Sequence, residues 1–198
     1  SFWKGFPMLS LFVTMKLFVF DIDQTITDDT IDELGAWVLY PELIDAMNQL
    51  LKKGNAICLA SGSNFRGCKL FFDRFVFSPR VYCITANGAA LFDRTGKILY
   101  SKSVPFAAFT QMRLCYAGHP HWTYLFYLED GTPGFVGTPN FAPIEAKSNN
   151  SPLMDYNGKQ VDPDTPLEKA FINTGEDDAY DLLVDPRMKD YQAYATSH

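Results

Sequence analysis

The chain has no C-x-x-C pair, no lysine and arginine cluster, and no apolar run close to the ~20 residues that a membrane span requires. Each lack narrows what the protein does. Cys58, Cys68, Cys83 and Cys115 show no paired spacing, and Cys58 and Cys83 fall inside apolar runs, so reduced, buried thiols and a cytoplasmic setting are expected. Only three histidines occur, His119, His121 and His198, and they are not spaced as zinc ligands. A net charge of −6 without a basic patch argues against a nucleic-acid surface. What is present is the composition of a globular domain: 198 residues, 47% apolar, 20% charged and 15% aromatic. That length accommodates one large domain or two small ones.

The most informative stretch runs from Met15 to Ile26. Its apolar residues read as a strand buried on both faces, and they end abruptly at Asp21 and Asp23, with Thr25 two further on. An N-cap or acidic turn would account for one aspartate. Two at i, i+2 suit chemistry better: one carboxylate attacks while its neighbour handles a proton, and both offer oxygen to a hard cation.

Downstream, Pro41 opens a helix whose Leu43, Ile44, Met47, Leu50 and Leu51 share one face, with Lys52 and Lys53 near its end and Gly54 placed to stop it. Ala56–Ala60 is the next buried strand, so strand, helix and strand form a right-handed βαβ unit in a parallel sheet. The intervening residues 28–32 read as a surface loop. Ser61-Gly-Ser-Asn64 follows, before a helical segment expected over residues 65–77. A hydroxyl and a glycine there make a phosphate cradle, although Ser and Asn also serve as ordinary helix caps. Residues 81–86 are a third strand, and Asn87-Gly88 is a hairpin signal leading to short returning strands.

Phe18-Val-Phe-Asp-Ile-Asp-Gln-Thr-Ile26 resembles the first motif of the haloacid dehalogenase superfamily of phosphohydrolases, with Gln24 where that motif usually has glycine. Ser61 resembles its second motif, and the run from Ile84 to Phe92 is similar to the Cof-type subgroup. The resemblance implies an α/β fold: a three-layer, Rossmann-like parallel sheet core with an inserted α+β cap. It implies Asp21 as nucleophile, Asp23 as general acid/base, and Mg2+ held at Asp21 and Asp23. Phosphate would be bound by Ser61, by the Gly62 backbone N–H and by Asn87, whose hairpin role is an equally good account of it.

On this basis residues 1–14 form an extension ahead of a plausible start at Met15, 15–100 the first part of the core, and 101–198 a cap. Within the cap we expect a helix over 105–117 and a strand over 122–129 that alternates Trp122, Tyr124, Phe126 and Leu128 against Thr123, Leu125, Tyr127 and Glu129. A partner strand near Phe135, a proline-bearing polar loop over 138–166, a strand over 169–173 and a helix over 177–184 complete it. The acidic run 175–181 fails the family's last metal motif, because Glu176, Ala179 and Tyr180 stand at its decisive positions. The family's closing lysine and metal acids are not found after Asp185, where only Lys189 occurs, so the 198 residues read as truncated or as departing from that closing architecture. As they stand they would leave the first strand as an open sheet edge.

The expected function is a magnesium-dependent phosphatase for a small phosphorylated metabolite, a sugar phosphate or similar, acting through an aspartyl-phosphate and without nucleic-acid or membrane partners. A phosphomutase and a catalytically incompetent binding protein are the alternatives. Neither the oligomeric state nor the substrate is written in the sequence.

Overall fold

The computed structural model describes residues 14–31, 37–75, 78–143, 146, 151–174 and 186–190. The expected leader before residue 14 and the helix expected over 177–184 lie outside them.

The apolar run becomes β1 (Leu17–Asp21). Next come β2 (Thr27–Ile31) and β3 (Trp37–Leu39), an antiparallel pair where a loop was expected over 28–32. The acids there lower β propensity, but pairing with β3 overrides it. Helix α1 (Pro41–Lys52) has proline in its first turn and buries Met47 and Leu51. Gly54, at φ +86, takes the left-handed conformation that ends the helix. Strand β4 (Ala56–Ala60) is followed by α2 (Phe65–Lys69), shorter than the 65–77 expected, because the chain passes into a 3-10 turn at Phe72–Arg74. There Phe65 and Phe72 meet edge to face at 5.9 Å, and Phe72 and Phe75 enter the core. Strands β5 (Val81–Thr85), β6 (Ala90–Asp93) and β7 (Ile98–Ser101) complete a sheet of order β1-β4-β5-β6-β7. Its first three strands are parallel and its last two antiparallel. This mixed sheet with its helices is the expected α/β class.

Strand β1 departs from expectation in one respect. Among the described residues it stands at the sheet edge, as expected, but Leu17 and Val19 are 58% and 54% exposed rather than buried. A strand is buried on both faces only when material covers both, and the described residues cover one, through Phe18 and Phe20.

A second sheet follows. It comprises β8 (Val104–Pro105), β9 (Thr123–Leu128), β10 (Pro133–Gly137), β11 (Met154–Asp155) and β12 (Pro166–Asn173), in the order β11-β10-β9-β12-β8. Helix α3 (Phe106–Cys115) packs Phe109 and Met112 on the face carrying Trp122, Tyr124 and Phe126. The rings of Phe109 and Phe126 meet edge to face at 4.9 Å. Close packing leaves no room for a side chain at residue 134, where an added Cβ would stand 2.5 Å from the Phe126 ring. The alternation of β9 sets Tyr124 and Phe126 on the face toward α3, as expected. Thr123, Leu125 and Tyr127, on the opposite face, are buried as well. The polar segment 138–166 contains β11, paired parallel with β10.

The two sheets are stitched together at loops that follow the first sheet's strands. Asn64, the N-cap of α2, accepts from Gly67 N–H and donates from Nδ2 to Gly131 O at 2.7 Å. Arg66 donates to Thr132 Oγ1 and Ser151 Oγ. Glu168 and Lys169 on β12 reach Thr85 and Gly62.

Candidate active site

Parallel pairing sets the strand ends level. Asp21 lies opposite Ala60, and Ala60 opposite Ile84. The chain turns away just beyond, and the turns leave a cavity of about 300 Å3 lined by Asp21, Ala60, Ser61, Gly62, Ile84, Asn87 and Gly88. Four expected site residues, Asp21, Ser61, Gly62 and Asn87, are therefore brought together from three strands.

Ser61 Oγ accepts the Ser63 N–H at 3.0 Å, which leaves the hydroxyl proton to donate elsewhere. Gly62 is tightly constrained. A Cβ there would stand 2.8 Å from Asn87 Oδ1, so the Asn87 amide packs directly over Gly62 and would have to move to admit a side chain. Asn87 serves both roles weighed for it. It is a left-handed turn residue, φ 58 and ψ 34, and its side chain also lines the cavity. Its N–H donates to Ser61 O at 3.2 Å, tying the turn after β5 to the turn after β4. Ala86, just before it, has φ 48, a strained conformation for a residue with a Cβ.

Asp23 is placed differently. It sits exposed in the turn after β1 and does not line the cavity. Three successive N–H groups, of Thr25, Ile26 and Thr27, donate to Ile22 O and shape this turn. Gln24 adopts φ 56, the conformation that glycine would take at least cost. Among the described residues no three His, Cys, Asp or Glu side chains group as a metal site. Asp21 and Asp23, two exposed carboxylates two residues apart, do fit Mg2+. That ion takes one or two carboxylates beside phosphate oxygens and keeps several waters. A larger cavity, about 810 Å3 between α3 and residues 156–163, is lined by no acid among the described residues.

Sequence reading missed the contribution of β12. Glu168 is 4% exposed, accepts from Thr85 Oγ1, and has its second carboxylate oxygen buried without a hydrogen bond. Burial pushes its carboxyl up to about 7, against the pull of the Thr85 hydroxyl and the Lys169 charge, while Asp130 and Glu129 add to the rise. The folded state thus holds a proton that the unfolded chain releases near 4.5, so this group's contribution to stability is complete below pH 4.5 and is lost as pH rises to 7. The interval amounts to about 3 kcal/mol. Glu168→Gln should remove that fall. Denaturant unfolding at pH 5 and pH 8 checks it, and an equal pH dependence in both proteins would show that Glu168 titrates normally. Burial also raises the Cys58 thiol to about 11, and Cys83, hydrogen-bonded by Cys68, is pushed up too. All four cysteines are free.

A parallel arrangement of strands with a carboxylate, a hydroxyl and a glycine turn at its ends defines an α/β protein with a cavity at the place such folds bind ligands. Comparison with known proteins narrows the class. The family model for haloacid dehalogenase-like hydrolases matches residues 18–192, and the chain belongs to that family. A crystal structure from Eubacterium rectale superposes with a TM-score of 0.63 at 17% identity, over 89% of this chain and 64% of that one. A haloacid dehalogenase-like hydrolase from Bacteroides thetaiotaomicron gives 0.55 at 19%, over 72% and 52%. A sugar phosphatase of subclass IIB gives 0.50 at 19%, over 72% and 53%. No curated protein matches by sequence. The chain spans about half the length of the Bacteroides hydrolase and of the sugar phosphatase. No helix among the described residues is long and apolar enough to cross a membrane.

Proposed function

We propose that the chain carries the nucleophile and phosphate-holding part of a magnesium-dependent phosphatase that hydrolyses a small phosphorylated metabolite through an aspartyl-phosphate. One observation carries this reading: Asp21, Ser61, Gly62 and Asn87 line a single cavity at the strand ends. Asp21 attacks phosphorus in line, and the P–O bond to the leaving group breaks as Asp23 protonates the departing oxygen. Water then attacks the aspartyl-phosphate, gives its proton to Asp23, and releases inorganic phosphate and the Asp21 carboxylate. The Ser61 hydroxyl, the Gly62 N–H and the Asn87 amide hold the non-bridging oxygens. Mg2+, held at Asp21 and Asp23, would supply charge neutralisation. Phosphate monoesters are among the slowest substrates to react unaided, which a covalent route with positioned donors answers. The shared fold with a sugar phosphatase makes sugar phosphates the first substrates to assay.

The place of Asp23 outside the cavity lining favours a second reading, a protein that binds phosphate without turning it over. Release of inorganic phosphate from a panel of sugar phosphates separates the two. Steady release that needs Mg2+ supports the first, and binding without release supports the second. The cradle has its own check. Ser61→Ala should weaken vanadate inhibition by one charge-assisted hydrogen bond, about 1.5–3 kcal/mol. An unchanged inhibition constant would reduce Ser61 to a turn residue.

A further inference from the structure

We propose that the cavity between α3 and residues 156–163 is a second binding site, for a small organic anion with an oxyanion head on an apolar body. The inference is independent of the phosphatase reading, because this cavity shares no lining residue with the one at the strand ends. Its volume, about 810 Å3, falls in the range of small-molecule sites, about 300–1,000 Å3.

Both walls are fixed by hydrogen bonds. Phe106 N–H donates to Thr165 O at 2.8 Å and Ala107 N–H to Pro163 O at 2.9 Å, which fastens the start of α3 to the end of the facing segment. At the other end of that segment, Tyr156 N–H donates to Phe135 O at 3.0 Å. Asn157 exchanges two hydrogen bonds with the Gly137 backbone, at 2.9 and 3.1 Å. The Tyr156 ring meets that of Phe126 edge to face at 5.0 Å. Walls already held in place lose little freedom when a ligand enters between them.

Each wall contributes one cation to the lining, Arg113 from α3 and Lys159 from the facing segment. Both are seated on aromatic faces, which attract a cation and restrict its movement. The Arg113 guanidinium lies 5.9 Å from the centroid of the Phe109 ring and 5.8 Å from that of Tyr124. Tyr124 is itself anchored, since its hydroxyl donates to Tyr116 O at 2.7 Å. Lys159 Nζ lies 4.7 Å from the centroid of the Tyr156 ring. The Nε of Arg113 is buried with no hydrogen-bond partner among the described residues. A partly desolvated cation of this kind gains more from a nearby anion than a fully hydrated one does, and the guanidinium fork suits carboxylate and phosphate heads alike. Phe106, Val136, Val161 and Pro163 add apolar lining, which a bare inorganic anion cannot use and a ring or alkyl body can.

The test is calorimetric titration of the full chain with three probes that share one ring system. These are 2-naphthoate, 2-naphthylphosphonate, whose C–P bond is not a phosphatase substrate, and the neutral 2-naphthamide. Orthovanadate is present throughout to compete for the strand-end cavity. At least one of the two anions should bind, about tenfold or more tightly than the amide, and the tighter of them identifies the head as carboxylate or phosphate-like. Arg113→Gln should weaken that anion about tenfold or more. Lys159→Gln, at an exposed position, should weaken it about threefold, and Lys159→Glu should weaken it further. Wild-type protein that binds neither anion overturns the proposal, as does an amide that binds equally well. Anion binding that vanishes when vanadate is added places the probe at the strand ends and overturns it too. If Arg113→Gln does not fold, Lys159→Glu decides, and an unchanged affinity in that variant overturns the proposal.

Discussion

Replacing Asp21 with asparagine is expected to lower hydrolysis of an aryl phosphate to the rate in buffer, with phosphate binding retained. The carboxylate is the group that forms the acyl-phosphate, and an amide is far too weak a nucleophile to replace it. Asp21 ends an edge strand and is exposed, so the change creates no cavity and breaks no core contact. Removal of a negative charge from the cavity should hold phosphate affinity steady or raise it. Lost turnover with kept binding separates the nucleophile from a general binding group. Comparable turnover in the variant and the parent protein would defeat the assignment.

The second large effect concerns Asp23. Asp23→Asn should slow turnover about 10²–10⁴-fold, the range for a lost general acid or base. The size should depend on the leaving group. An aryl oxide of low pKa departs with little help, whereas a sugar alkoxide needs its proton in the transition state. A sugar phosphate should therefore suffer more than p-nitrophenyl phosphate. Equal losses on both would mean that Asp23 acts on charge or structure and not as the proton donor. That outcome matters because Asp23 stands in an exposed turn beside the cavity residues and not among them.

The elements that the sequence made legible are those in which local signals agree with tertiary packing. Proline at the first turn, one apolar face and Gly54 marked α1 from end to end. The apolar runs of β1, β4 and β5 announced a parallel sheet, and the residues at their ends announced the cavity, because strand-end position in such a sheet is itself a functional address. Where packing decided against local preference, reading failed. Asp28 and Asp29 disguised β2, whose strand state comes from pairing with β3. The contribution of β12 left no local signal at all. A glutamate and a lysine in a strand look like solvent-facing residues, and only the slipped register, invisible without the partner strand, turns them toward Thr85 and Gly62.

The place of β1 at the edge of the sheet among the described residues, by contrast, was expected from the strand count, and there Leu17 and Val19 are exposed beside the residue on which the chemistry depends.

The most direct test of that chemistry is to trap the intermediate. The protein is mixed with substrate and Mg2+, quenched in acid within the first turnover, and reduced with borohydride, which converts an acyl-phosphate to the alcohol. Peptide mass spectrometry then locates the change. The account requires homoserine at position 21, appearing only with substrate and absent in Asp21→Asn. Modification of any other side chain, or steady phosphate release with position 21 unmodified, would contradict it.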